Sequence, residues 1–225
     1  YIETLIDHHS TIMDKYDPEK KIGLICDEWG TWFTCEPGTN PGFLYQQSTM
    51  RDALVAGLSL NIFNKHCDRV KMANIAQLIN VLQAVILTDG PRMLRTPTYH
   101  VFHMYKYHQD ADLVESYLDG VETIGEEKEY MVPSLQESVS IDKEGILTIT
   151  LNNLSVDKDE PVEISFAECQ TKEVTAAILN NEMHAYNTFE DPDKVHEEVF
   201  SNYTVENGMI RFTMPASSVV QFRVR

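Results

Sequence analysis

Seven consecutive residues, Cys26-Asp27-Glu28-Trp29-Gly30-Thr31-Trp32, hold the side chains best suited to chemistry. They follow Ile22-Gly23-Leu24-Ile25-Cys26, a continuous apolar run of strand length. In α/β barrels and open parallel sheets, reactive groups collect just past the carboxyl ends of strands, where Asp27 and Glu28 are expected to stand. Strand side chains alternate, so one of the two carboxylates should face the mouth of the site and the other turn away. Trp29 and Trp32 are the only tryptophans, and both lie within four residues of Glu28. A carboxylate flanked by indoles suits a sugar, whose C–H face packs on an aromatic plane while its hydroxyls take hydrogen bonds. The plainer alternative makes Asp27 a loop cap and both tryptophans core.

Other residues invite weaker chemistry. His8 and His9 are adjacent on a helical pattern and point to different faces, which suits a solvated surface rather than a metal pair. His100, His103 and His108 are expected on one helix, where the first two could share a face, but no carboxylate is expected near them, so surface or packing roles follow. Asp157-Lys158-Asp159-Glu160 lacks the glycine and terminal acid of a calcium loop and reads as a solvated turn. Cys35 could line the site but has no identifiable activating partner. Cys26, Cys35, Cys67 and Cys169 show no metal-type pair and read as reduced thiols. No metal or other cofactor is expected.

The positioning elements follow from periodicity. Ile2, Leu5, Ile6, Ile12, Met13 and Tyr16 recur at helical spacing until Asp17-Pro18. The run 22–26 should be a strand covered on both faces, as in a parallel sheet. A loop with Pro37-Gly38-Thr39-Asn40-Pro41-Gly42 leads to a capping-box match, Thr49 and Asp52, opening a helix to about His66. Val70 to Ala76 reads as the next strand. Ile79 to Leu87 is apolar and of undecided type. Thr96 as cap and Pro97 at the first position start a helix towards His108. This alternation is the grammar of an α/β layer or barrel.

The second half follows another grammar. An acidic connector, 110–133, precedes short runs at 137–141, 146–151, 162–166, 173–179, 209–214 and 219–224. Glu144-Gly145 and Asn207-Gly208 supply turns, and the pattern argues for an antiparallel sandwich or jelly roll. Charge divides at the same place. Residues 1–109 carry 11 acids and 10 bases, residues 110–225 carry 24 and 8, and the whole chain stands at −17. That acidity argues against nucleic-acid or anionic-membrane binding. No stretch reaches the roughly 20 apolar residues of a membrane helix. Two domains are expected, 1–109 and 110–225.

Three ordered motifs carry a resemblance: Asp27-Glu28-Trp29 with Trp32, Asn74-Ile75-Ala76-Gln77-Leu78-Ile79-Asn80, and Thr96-Pro97-Thr98-Tyr99-His100-Val101-Phe102. With 37–43 and Asn187-Thr188-Phe189-Glu190-Asp191-Pro192, they make the chain resemble the α-L-arabinofuranosidases of glycoside hydrolase family 51, over nearly its whole length. The resemblance implies the last strands and helices of a (β/α)₈ TIM barrel, residues 1–109, followed by a jelly-roll-like antiparallel β-sandwich. It also implies retaining hydrolysis of terminal α-L-arabinofuranosyl residues from oligo- or polysaccharides, with Glu28 as nucleophile. Trp32 would wall the sugar pocket and Gln77 would bind sugar hydroxyls or orient the nucleophile. Gly30-Thr31 and Phe33 stand where many members have Asn-Val and Tyr, which affects the shape of the pocket rather than the reaction.

A retaining glycosidase needs a second carboxyl about 5 to 5.5 Å from the nucleophile. The family's acid/base is a Glu following an Asn at a strand end. The one Asn-Glu pair here, Asn181-Glu182, lies in the sandwich half, so the 225 residues are expected to hold half of the catalytic pair and to be inactive alone. The resemblance further implies a homo-oligomer, and any export signal would precede residue 1, leaving cytoplasmic and exported locations open. Competing expectations are a noncatalytic carbohydrate- or partner-binding sandwich module and a sister activity such as β-xylosidase or endoglucanase.

Overall fold

A computed structural model describes residues 1–126, 131–167 and 173–225; Cys169 lies outside these. The chain opens with α1 (Ile2–Asp14), then β1 (Leu24–Trp29), a 3₁₀ turn at Pro41–Phe43, α2 (Met50–Lys65) and β2 (Val70–Ile75). β1 and β2 pair in parallel. Arg69 fixes this arrangement: buried before β2, it donates to the Asp17 carboxylate at 2.8 Å and the Ile22 carbonyl at 2.8 Å, and bonds Asp14 as well. Backbone N–H donors from Ile22 and Lys21, with the Arg69 guanidinium, hold the Asp17 pKa below its usual value.

Three expectations change here. β1 runs to Trp29, so Asp27 and Glu28 lie inside the strand rather than past its end. Its pairing slips between Cys26 and Trp29, which breaks strict alternation, and both carboxylates are exposed. β1 is also covered on one face: Leu24 and Cys26 pack on the helical core, while Ile25 is 55% exposed.

The segment 79–87 resolves into a turn-rich loop leading to a hairpin, β3 (Ile86–Asp89) with β4 (Arg92–Arg95). α3 (Pro97–Tyr105) follows and tightens into a 3₁₀ turn over 106–108. Thr96 occupies the N-cap position, but its hydroxyl donates to the Ala84 and Val85 carbonyls instead of capping the helix. By contrast, the expected capping box forms at α2, where the Asp52 carboxylate accepts the Thr49 N–H at 2.8 Å.

The expected connector contains strands: β5 (Asp112–Val114), β6 (Thr123–Ile124) and, at its end, β7 (Val132–Pro133). Then come β8 (Leu135–Ile141), β9 (Leu147–Asn153), β10 (Glu160–Ile164), β11 (Val174–Asn180), β12 (Glu198–Val199), β13 (Tyr203–Glu206), β14 (Met209–Met214) and β15 (Ser218–Val224). An antiparallel six-stranded sheet, β12-β11-β15-β9-β8-β5, lies beside a three-stranded one, β10-β14-β13. Asn207 and Gly208 both take positive φ, as the two-residue β13–β14 turn requires.

Alternation gives the large sheet two buried faces of opposite character. Ile149, Leu151, Phe222 and Val224 join Phe200 and Phe212 in an apolar core. The other face turns Ser138, Thr150, Asn152 and Gln221 towards α2 and α3. Asn61 of α2 accepts hydrogen bonds from the hydroxyls of Tyr105, Ser138 and Thr150, each at 2.9 Å. Pairing is what makes these buried hydroxyls and the Asn61 oxygen tolerable, although the Asn61 Nδ2 and the Asn152 Oδ1 in the same network have no partner among the described residues. Around them a second core joins Ile6, Trp29, Leu54, Phe63 and Met104 to Leu179, Val195 and Val219, so residues from both halves of the chain share it.

Candidate active site

The parallel pairing puts the carboxyl ends of β1 and β2 at one rim. Trp29 pairs with Ile75, and the Ala76 N–H donates to the Trp29 carbonyl at 2.8 Å. Glu28 therefore stands just before one strand end and Gln77 just past the other. Among the described residues neither side chain has a hydrogen-bond or ion-pair partner, so the carboxylate and the carboxamide are both free to meet a ligand. Gln77 is held through its backbone, donating to the Val81 carbonyl at 3.2 Å and accepting from the Val85 N–H at 3.3 Å, and the Ala76–Gln77 peptide is cis.

The two tryptophans separate. Trp29 is 5% exposed and packs between Phe63 and Phe102, with ring centroids at 5.5 and 6.1 Å, so it is core. Trp32 is 68% exposed and its indole is open to solvent.

Four polar side chains anchor the loop that carries Trp32. Gln83 accepts the Thr31 N–H at 2.9 Å and donates to the Asp52 carbonyl at 2.7 Å. The Thr31 hydroxyl donates to the Asp52 carboxylate at 2.6 Å and accepts from Gln46 at 3.0 Å, while Gln46 also accepts the Phe33 N–H at 2.8 Å. Arg51 bonds Asp52 at 3.1 Å and lays its guanidinium over the Phe33 ring at 3.7 Å. Gly30 turns at φ +139, and a side chain there would meet the Gln83 oxygen. Gln46 and Gln83 were not expected as site residues. The available signal was Gln83 standing alone in the apolar run Val81-Leu82-Gln83-Ala84-Val85, since a buried polar residue must have partners.

A cleft of about 690 Å³ opens beside Gln77, lined also by Phe43, Tyr45, Leu87, Thr88 and Phe189. Glu28 and Trp32 are not among its lining residues. Asn80, also at its edge, is occupied by Thr88, donating to its hydroxyl at 2.8 Å and accepting its N–H at 2.7 Å. Asn187 is buried and ties the sandwich to the hairpin: it donates to the Arg95 carbonyl at 3.0 Å and accepts the Val195 N–H at 2.7 Å.

The model of the α-L-arabinofuranosidase C-terminal domain matches residues 27–218. The chain belongs to that family. An intracellular exo-α-L-arabinofuranosidase of Bacteroides ovatus is 43% identical over all 225 residues, which span 44% of its length. The crystal structure of the GH51 arabinofuranosidase from Xanthomonas axonopodis pv. citri superposes with a TM-score of 0.95 at 43% identity, over the whole chain and 45% of that protein. The arabinose complex of a Thermotoga maritima α-L-arabinofuranosidase shares the fold at TM-score 0.79 and 24% identity, over 99% of this chain and 46% of that one. The chain thus spans a little under half the length of these relatives.

The remaining candidates fall into structural roles. His8 and His9 are exposed. His100 is buried, and burial pushes its pKa down to about 4. His103 does have a carboxylate neighbour, contrary to expectation: Glu197, distant in sequence, lies 2.5 Å from its Nδ1. His108 bridges helix and sheet, reaching the Ser140 hydroxyl at 2.7 Å and the Thr150 hydroxyl at 3.0 Å. Within 157–160, Lys158 pairs with Glu122 and Glu160, and Asp159 accepts the Ala216 N–H. Cys26, Cys35 and Cys67 are free. Among the described residues, no group of three or more His, Cys, Asp or Glu side chains could hold a metal, and no helix is long and apolar enough to cross a membrane.

Proposed function

We propose that this chain supplies the nucleophile side of a retaining exo-α-L-arabinofuranosidase acting on arabinofuranosyl-containing oligo- or polysaccharides. The observation that carries the reading is the unpartnered Glu28 carboxylate sharing the carboxyl-end rim of a parallel strand pair with Gln77. In this reading, residues 1–109 are the last strands and helices of a (β/α)₈ barrel, and residues 110–225 are the sandwich that braces it.

A Glu28 oxygen attacks the anomeric carbon as the bond to the leaving oxygen breaks, and a second carboxyl protonates that oxygen. Water, giving its proton to that second group now acting as base, then attacks the anomeric carbon of the glycosyl ester, releasing arabinose and regenerating both the Glu28 carboxylate and the protonated acid. Gln77 holds sugar hydroxyls, and Trp32 covers the ring on its anchored loop. The second carboxyl is not assigned to any of these 225 residues, so the chain alone should not turn over an aryl arabinofuranoside; turnover by the purified chain would overturn this assignment. In a polypeptide extended to the length of the relatives, Glu28→Ala should lower kcat by at least about a thousandfold with the folding transition unchanged. Near-wild-type kcat in that variant would remove Glu28 from the mechanism.

A further inference from the structure

The cleft beside Gln77 has the make-up of a second sugar position. It is walled by three aromatic rings from two segments: Phe43 and Tyr45 from the loop before α2, and Phe189 from the sandwich. Phe189 is held by its neighbours, with the Arg92 guanidinium 4.5 Å from its ring centroid and the Ala84, Leu87 and Leu94 cluster packed against it. Phe43 is 69% exposed, a large apolar surface left open on a concave wall. The volume lies within the roughly 300–1,000 Å³ of small-molecule sites. Polar groups edge it: the unpartnered Gln77 carboxamide, and Thr88 with Asn80. Aromatic planes with a few hydrogen-bonding groups at the rim match a sugar ring's apolar face and peripheral hydroxyls.

We propose that this cleft binds the sugar residues on the leaving-group side of the cleaved bond, with Phe189 and Phe43 as the platforms that select a pentose oligosaccharide over a compact leaving group. The inference rests on the arabinofuranosidase reading, because Gln77 belongs both to this cleft and to the rim that holds Glu28. It gives the sandwich a part in substrate choice. Asn187, anchored on the Arg95 and Val195 backbones, fixes the segment from which Phe189 projects.

The test compares binding of L-arabinose and α-1,5-linked L-arabinotriose, by NMR titration, to a polypeptide extended to the length of the relatives and carrying Glu28→Gln so that the trisaccharide is not cleaved. The trisaccharide is expected to bind about tenfold more tightly than the monosaccharide. Phe189→Ala should abolish that margin, with affinity for the trisaccharide falling further than affinity for arabinose. Phe43→Ala, at an exposed position outside the core, should shrink the margin without disturbing the fold. Equal affinity of the two sugars for the Glu28→Gln polypeptide, or an undiminished margin in both variants, would overturn the cleft assignment and leave the arabinofuranosidase reading standing. Binding of neither sugar would overturn the cleft assignment as well, while the arabinofuranosidase reading stands or falls separately on the kcat of Glu28→Ala.

Discussion

Trp29 and Trp32, three residues apart, need opposite explanations. Trp29 is enclosed by Phe63 and Phe102 at the centre of the helical core, and Trp32 stands in solvent. Trp29→Ala should therefore cost about 3–5 kcal/mol, the usual range for emptying a large aromatic site, whereas Trp32→Ala should fall within about 0.5 kcal/mol of wild type. Urea unfolding of the two variants checks this, and equal losses would contradict the burial assignment. Trp32→Ala should nonetheless weaken arabinose binding, which Trp29→Ala would affect only through the fold. The sequence marked both indoles as candidates because residue type and spacing carry no information about which side of a strand end is covered. That distinction comes from α2 and α3, whose packing against β1 is a long-range fact. The same limit hid Glu197 from His103 and Asp52 from Thr31.

At the scale of elements, the strongest local signals were reliable where one short-range interaction decides. The Thr49 and Asp52 capping box, the Asn207-Gly208 turn and Pro97 at a helix start all form as their chemistry dictates. Signals that depend on cover were not. The apolar run 22–26 implied two covered faces, while the strand that forms is shifted and half open. The loop at 30–33 shows how buried polar groups replace a regular element, its N–H groups being received by Gln83 and Gln46. Gln83→Leu leaves the Thr31 N–H and the Asp52 carbonyl without their partner and should cost about 1–3 kcal/mol. The companion Thr31→Val removes the hydroxyl bonds, and it should loosen the loop and speed exchange of the backbone amides at position 31 and at Phe33. Unchanged exchange in both variants would mean that the network does not hold Trp32. Gly57 on α2 gives a prediction of opposite sign to habit. Ala gains about 1 kcal/mol over Gly in a helix, but a Cβ here would collide with the side-chain amide of Asn152, which the Tyr105 hydroxyl holds in place. Overpacking costs about 1–3 kcal/mol, so Gly57→Ala should destabilise, and a raised melting temperature would refute the close approach.

On the scale of the whole molecule, the helices are seated on the polar face of the six-stranded sheet, and that seat should make stability pH-dependent. His108 sits in it between the hydroxyls of Ser140 and Thr150, and burial pushes its pKa down to about 4, with Arg223 adding to the shift. His100, buried at the neighbouring α3 surface, is also held near 4 by burial, with Arg95 and His196 lowering it and Glu197 and Asp193 opposing. Both side chains are thus neutral in the folded chain at a pH where an unfolded histidine, near 6.5, already binds a proton. Between these values the unfolded state holds more protons, so stability falls as pH drops from about 6.5 towards 4. At about 1.4 kcal/mol per unit, each histidine should remove up to about 2 kcal/mol between pH 7 and pH 5, a window above most carboxylate titrations. His108→Gln keeps a donor and an acceptor for the two hydroxyls but cannot titrate. It should flatten the dependence by about half, as read from urea midpoints at the two pH values. A slope equal to that of wild type would show that His108 is not the titrating group, and would leave the acid sensitivity of the helix-to-sheet seat to His100 alone.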